Sequence, residues 1–329
     1  EEFDEKRVAD SIKELQREFS GNSFHLHTYM GVYEIRDRDE AVSIMVDKAN
    51  IAADTIKNNY DCCVAYYDEH LLEISIEQRR LLGEFEPALQ NDEFVMYLQP
   101  QVKRDGAAKG AEALVRWVHP SRGILTPYAF IDILENAGLI YKLDLYIWEK
   151  AAQKLAEWKE KGYGSYHISV NISTKDFYII DIYETFTGLI NKYGIAASNL
   201  HLEITETTLM TDFEKNMNII HKLQGVGFRV EIDDFGSGYS SLNMLKDISA
   251  DVLKIDMGFL RKSENEVKGQ DILESIITLA GKIGMDVITE GVETKKQLDM
   301  LTMMGCHEFQ GYYFSKPVPV SEFEEKYLV

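Results

Sequence analysis

From residue 93 onward the chain alternates between short strand-like runs and amphipathic helical stretches. Few architectures accept that rhythm. The strand-like runs fall at 95–99, 110–117, 166–171, 200–203, 228–233, 252–254 and 287–290, with a short one ending near Gln310. Helical stretches at 127–137, 141–161, 177–193, 211–224, 264–284 and 294–303 separate most of them. About eight strands alternating with helices over roughly 240 residues predict an α/β barrel. Lys103-Arg104-Asp105-Gly106, between the first two strands, is too short to hold a helix. That junction predicts a hairpin, and with it one antiparallel strand. The expected fold class is therefore α/β: a modified (β/α)8 barrel with one antiparallel strand, plus a small α+β N-terminal fragment.

The fragment has its own pattern. Val8, Ile12, Leu15 and Phe19 form one stripe of a helix over 5–19. Phe24, Leu26, Met30 and Val32 alternate as in a strand over 23–35. Helical spacing returns over 38–58, and 62–67 reads as a second strand. A charged helical stretch over 70–90 joins the two parts, and Pro87 is expected to kink or restart it. Gly83-Glu84-Phe85 lies on that helical pattern without a paired glycine, so it is no nucleotide-cyclase signature.

Chemistry concentrates where the barrel strands end. Glu112, Asn171, Glu203, Asp233, Asp234, Lys254, Glu290 and Gln310 stand at or near successive strand ends, with Glu206 three residues after Glu203. In a barrel such ends converge on one face. Asp233 and Asp234 are adjacent and repel unless a cation or a shared proton relieves them. Gly236 and Gly238 follow and permit a tight turn. Oxygen donors without cysteine favour Mg²⁺ or Mn²⁺ over Zn²⁺. Gly236-x-Gly238 with Asp256 downstream partly mimics a dinucleotide fingerprint. However, Ser241 replaces the third glycine, and two carboxylates before the turn would repel a pyrophosphate. No lysine follows the glycines as a P-loop needs, and the frame Gly-Ser-Gly is not a serine-hydrolase elbow.

Bulk properties narrow the partners. A formal net charge of −20 argues against general nucleic-acid binding. Three cysteines without a CxxC pair argue against a disulfide framework and a cysteine zinc site, and suit a reduced, cytoplasmic setting. Eight histidines are scattered, and His25 with His27 reads as a polar sheet face. No apolar run reaches the roughly 18 residues of a membrane span. The chain opens on Glu1 without an initiator Met, so it reads as a piece of a longer protein.

Seven motifs in order now carry a resemblance: Glu112-Ala113-Leu114, Asn171-Ile172-Ser173, Glu203-Ile204-Thr205-Glu206, Asp233-Asp234-Phe235-Gly236, Lys254-Ile255-Asp256, Glu290-Gly291-Val292-Glu293 and Gln310-Gly311-Tyr312. From 79 to 329 the chain resembles the EAL-domain cyclic di-GMP phosphodiesterases. Residues 1–78 resemble, more weakly, the C-terminal part of a GGDEF domain without its cyclase signature. Arg36-x-x-Asp39 echoes that family's inhibitory motif in the wrong place.

The resemblance implies a TIM-like barrel that hydrolyses cyclic di-GMP to linear pGpG with two divalent cations, Mg²⁺ or Mn²⁺. It implies metal ligation by Glu112, Asn171, Glu203, Asp233, Asp234 and Glu290, with Asp233 bridging. Lys254 would position the attacking water, and Glu290 would take its proton. Gln99, Leu114, Arg116, Asp256, Glu293, Gln310 and Pro317 would face the substrate, and Glu206 would anchor the loop 236–242. It also implies a homodimer through the barrel and an upstream sensor or GGDEF portion outside this chain. The alternative is a non-catalytic receptor for the same dinucleotide.

Overall fold

Each barrel strand presents aliphatic side chains to one face and polar ones to the other. A computed structural model describes residues 5–19, 28–57, 63–236, 248–258 and 266–328. Ile168, Val170, Leu200, Leu202, Ile204, Val230, Ile232, Leu253 and Ile255 are all buried. Each contributes roughly 1.5–3 kcal/mol of burial. The residues between them face the barrel interior and carry the chemistry.

The chain forms two units, Glu1–Phe85 and Glu86–Val329. In the first, α1 (Glu5–Phe19) precedes β1 (Met30–Val32), α2 (Val42–Asp54) and β2 (Val64–Tyr66). The two strands pair in parallel from Met30↔Val64 to Val32↔Tyr66, with α2 as the crossover. Val8, Ala9 and Val32 pack on buried Ile12, Cys63 and Val64. A Cβ on Gly31 would lie 1.7 Å from the Ala49 carbonyl oxygen, so glycine is what lets strand and helix approach. Of the strand expected over 23–35, the described part pairs over Met30–Val32. Residues 23–27, with His25 and His27, and Cys62 lie outside the described residues. Helix α3 (Glu69–Gln90) runs through Pro87 without restarting. The proline forgoes one i→i−4 bond near the helix end, and Asn91 N still donates to Pro87 O at 3.0 Å.

The second unit opens with the expected hairpin, β3 (Phe94–Lys103) and β4 (Ala108–His119), in antiparallel register Gln99↔Glu112. The sequence did not single out β5 (Gly123–Leu125), which adds antiparallel to β4. Helices α4 (Ile131–Ala137) and α5 (Ile140–Glu160) lead to β6 (His167–Ile172). Next come α6 (Asp176–Ile179), α7 (Ile182–Tyr193) and β7 (Leu200–Thr205). The chain continues through α8 (Glu206–Thr211), α9 (Phe213–Val226), β8 (Arg229–Phe235) and β9 (Val252–Asp256). It ends with α10 (Glu266–Lys282), β10 (Asp286–Glu290), α11 (Lys295–Met303), β11 (Glu308–Phe309), β12 (Val318–Pro319) and α12 (Val320–Tyr327).

The sheet closes as an eight-strand ring, β3-β4-β6-β7-β8-β9-β10-β11 and back to β3. Strand β3 is antiparallel to both its neighbours, and all other ring pairs are parallel. The α/β barrel with one antiparallel strand is therefore as expected.

Two helices differ from the sequence reading because side chains cap the backbone early. The single helix expected over 177–193 breaks at Ile180, and Asp181 restarts it by accepting from Glu184 N at 3.0 Å. The helix expected over 211–224 is preceded by α8, whose N-cap Thr205 accepts from Thr208 N at 3.3 Å. Strand β12 has only two residues, Val318 and Pro319, too few to show a period.

Candidate active site

The strand period of two sets the interior. Glu112 on β4, Asn171 on β6, Glu203 on β7, Asp233 on β8, Lys254 on β9 and Glu290 on β10 all point inward near the C-terminal ends of parallel strands. The Lys254 side chain is fully buried, an unusual place for an ammonium. It is surrounded by acids. Its Nζ lies 2.8 Å from Glu290 Oε1, 2.9 Å from Glu203 Oε2, 3.3 Å from Asp233 Oδ1 and 3.4 Å from Glu112 Oε2.

Amides brace the cluster. Asn171 Nδ2 donates to Glu112 Oε1 at 3.4 Å. Gln310 Nε2 donates to Glu112 Oε2 at 2.5 Å and to Gln99 Oε1 at 3.2 Å. Gln99 in turn donates to the Ser315 carbonyl at 3.3 Å, a backbone contact no sequence motif announces. Asp234 has φ 56°, a left-handed value that costs a non-glycine residue energy, and the β8–β9 register shifts between Ile232 and Phe235. The bulge sets Asp233 and Asp234 together opposite Lys254 and breaks the alternation that would otherwise send adjacent residues to opposite faces.

One ammonium does not balance this many carboxylates. Burial pushes Glu203 well above the usual carboxylate range, and Glu112 adds to the shift against the pull of Lys254. Burial raises Glu290 to about 8, again against Lys254. Burial and then Asp233 raise Asp234. Burial alone would lower Lys254, but Asp233, Glu112, Glu203 and Glu290 outweigh it and raise it. Glu203 Oε1 is buried with no partner among the described residues, and Glu203 Oε2, Asp233 Oδ1 and Glu290 Oε1 are buried with only the shared Lys254 ammonium beside them. Unsatisfied buried carboxylate oxygens in surplus are what a divalent cation relieves, so the donor set fits one.

The other expected residues take varied positions. Leu114 and Arg116 follow Glu112 on the same face of β4, and Arg116 lies 5.5 Å from the Tyr97 ring centroid. Asp256 turns its Oδ1 to the Gly258 amide at 2.7 Å and so serves the turn after β9. Glu293 is exposed in the approach to α11, and its backbone N donates to Gln297 Oε1 at 2.9 Å. Pro317 lies partly buried just before β12. Glu206 opens α8, and residues 237–242 of the loop it is expected to anchor lie outside the described residues. The polar residues two positions below the acids, Ser169, His201 and Glu231, were not singled out from the sequence. The strand period could have found them, because each precedes Asn171, Glu203 or Asp233 by two.

The EAL-domain family model matches residues 83–317. The chain is 32% identical over 272 residues to the bifunctional diguanylate cyclase/cyclic di-GMP phosphodiesterase MucR of Pseudomonas aeruginosa, covering 82% of this chain and 39% of that protein. It is 33% identical over 240 residues to the cyclic di-GMP phosphodiesterase PdeR of Escherichia coli, covering 73% of this chain and 36% of that one. The chain thus spans less than half the length of these curated relatives. A solved structure of the PaMucR phosphodiesterase with c-di-GMP superposes with TM-score 0.70 at 33% identity, over 74% of this chain and 99% of that one. Among the described residues, no helix is long and apolar enough to cross a membrane.

Proposed function

We propose, on the premise that this chain belongs to the EAL-domain family, that it hydrolyses cyclic di-GMP to linear pGpG at the C-terminal mouth of the barrel. The observation that carries this is the convergence of Glu112, Glu203, Asp233 and Glu290 on the one ammonium of Lys254, a surplus of buried carboxylates over positive charge.

Glu112, Asn171, Glu203, Asp233, Asp234 and Glu290 would hold two divalent cations, Mg²⁺ or Mn²⁺. When bound, such cations neutralise the phosphodiester, acidify water and stabilise the leaving alkoxide. The chain's own groups do the rest. Lys254 holds a fixed positive charge beside the acids and orients the attacking water. Glu290, 2.8 Å from the Lys254 ammonium, would take that water's proton. Gln99 and Gln310 fix the Glu112 carboxylate in one orientation, so it does not reorganise during turnover. Arg116, half-buried beside Tyr97, offers a guanidinium to a phosphate. Leu114, Asp256, Glu293 and Pro317 complete the substrate-facing set expected from the motifs.

The test incubates the chain with cyclic di-GMP and Mg²⁺ or Mn²⁺ and resolves the products. Formation of pGpG is expected, and Asp233→Asn or Glu112→Ala should abolish it with the fold retained. Full activity of either variant in excess Mg²⁺ would overturn the assignment. Binding without turnover in the wild type would make the chain a receptor.

A further inference from the structure

A second inward layer lies at the opposite, N-terminal end of the barrel. His167 on β6, His201 on β7 and Glu231 on β8 are each at least nine-tenths buried. The two imidazoles stack with centroids 3.8 Å apart and planes at 3°. His201 Nδ1 lies 2.5 Å from Glu231 Oε1. One ligand atom from each of the three residues falls within 4.8 Å of the others. Glu231 Oε2 is buried with no hydrogen-bond partner among the described residues.

The rings lie parallel, so a cation would turn them out of the stack to bring an in-plane lone pair from each to one point, and would displace the hydrogen bond between His201 Nδ1 and Glu231 Oε1. Gln101 Nε2 donates to Ser169 Oγ at 3.4 Å, which turns its Oε1 toward His167 Nε2 at 2.7 Å. An amide oxygen there can only accept, so His167 Nε2 carries the proton and Nδ1 keeps its lone pair. Orientation of a ligating histidine by a carbonyl on its other nitrogen is a recurrent outer-shell device. Gly110 leaves room for the ring, since a Cβ there would stand 2.4 Å from it. A cavity of about 490 Å³ opens beside the trio, with Arg229 and Asp286 paired at 2.6 Å on its wall. Once the rings have turned, two imidazoles and one carboxylate beside that cavity supply the donor set of a three-ligand site.

We infer that His167, His201 and Glu231 form a site for a single Zn²⁺-class transition-metal ion, separate from the acid cluster. Imidazole donors favour Zn²⁺, Co²⁺ or Cu²⁺ over Mg²⁺, so the two ends of the barrel select different cations. This inference does not depend on the hydrolysis reading.

The full chain, stripped with chelator, is placed in excess Mg²⁺ to saturate the acid cluster and then titrated with Zn²⁺. One equivalent of zinc per chain should survive gel filtration, and its X-ray absorption should show imidazole scattering. His201→Gln should weaken that binding roughly 100-fold or more, and Gln101→Ala 10- to 100-fold, as outer-shell changes do. Glu203→Gln should leave it intact. If His201→Gln does not fold, the visible spectrum of wild type loaded with Co²⁺ reports the site directly, with tetrahedral histidine ligation expected. Zinc with oxygen neighbours only, or zinc lost in Glu203→Gln and kept in His201→Gln, would overturn the inference. No retained zinc would make the trio a hydrogen-bond network alone.

Discussion

The two ends of the barrel interior are built from the same strands, two residues apart, and they balance charge differently. On β7, His201 lies below Glu203; on β8, Glu231 lies below Asp233. At the C-terminal end four carboxylates share the single ammonium of Lys254. At the N-terminal end Glu231 is matched by His201, with Ser169 Oγ donating at 3.3 Å. Burial would raise Glu231, but the His201 hydrogen bond, with the electrostatic pull of His201, Lys254 and His167, together outweighs it and holds the carboxyl down at about 2. Glu203, equally buried, is pushed the other way. Burial is therefore common to both acids, and the hydrogen bonds made to each separate them: Glu231 Oε1 has His201 and Ser169, while Glu203 has only the shared Lys254 ammonium among the described residues.

The sharpest way to break this comparison is to remove the one ammonium. Lys254→Met should cost about 3–5 kcal/mol in chelator, the range for stranding the partners of a buried ion pair. Denaturant unfolding measures it. Saturating Mn²⁺ should recover part of the loss, because a cation replaces the missing charge. Equal stability of variant and wild type in chelator would mean that Lys254 does not hold the cluster together.

Removing an acid should act with the opposite sign. Glu203→Gln takes one negative charge from the overloaded end, so its unfolding free energy in chelator should rise by on the order of 1–3 kcal/mol. The same change should abolish pGpG formation, a separation of stability from activity common at strained sites. A destabilised Glu203→Gln would show that the carboxylates are already balanced.

The sequence made the upper layer legible and hid the lower one for a physical reason. Asp233-Asp234 beside glycines is conspicuous because adjacent carboxylates need explaining. Strand alternation likewise announced the ring, since β6 to β10 each carry outward aliphatics. His167 and His201 lie 34 positions apart, and no local pattern tells that parallel pairing of Ser169↔His201 will stack their rings. Lys254 in Leu253-Lys254-Ile255 is odd for a core strand, and it is legible as a site residue because acids stand at the ends of the neighbouring strands. The helix breaks at Ile180 and Asp212 escaped because Asp181 and Thr205 act through caps, which outrank apolar periodicity over one turn.

A third way of burying acids, without any cation, supplies the smallest test. Asp144 on α5 and Asp176 on α6 face each other, and Asp176 Oδ2 accepts from Ser173 N at 2.8 Å. Asp176 Oδ1 finds no donor unless Asp144 carries a proton. Burial, then the charge and hydrogen bond of Asp176, raise Asp144 well above the usual carboxylate range, and burial raises Asp176. The unfolded carboxyls lose their protons near pH 4 while the folded pair keeps one. The folded state thus binds more protons as pH rises above about 4, so its stability is greatest below that pH and falls as pH climbs. Asparagine at 144 donates permanently and has no proton to lose. Between pH 5 and pH 8 the wild type should therefore lose on the order of 1–2 kcal/mol relative to Asp144→Asn, read from denaturant midpoints in chelator. Parallel pH profiles for the two proteins would mean that this pair shares no proton. The carboxylates of the barrel mouth would then not be set apart by having a cation in place of one.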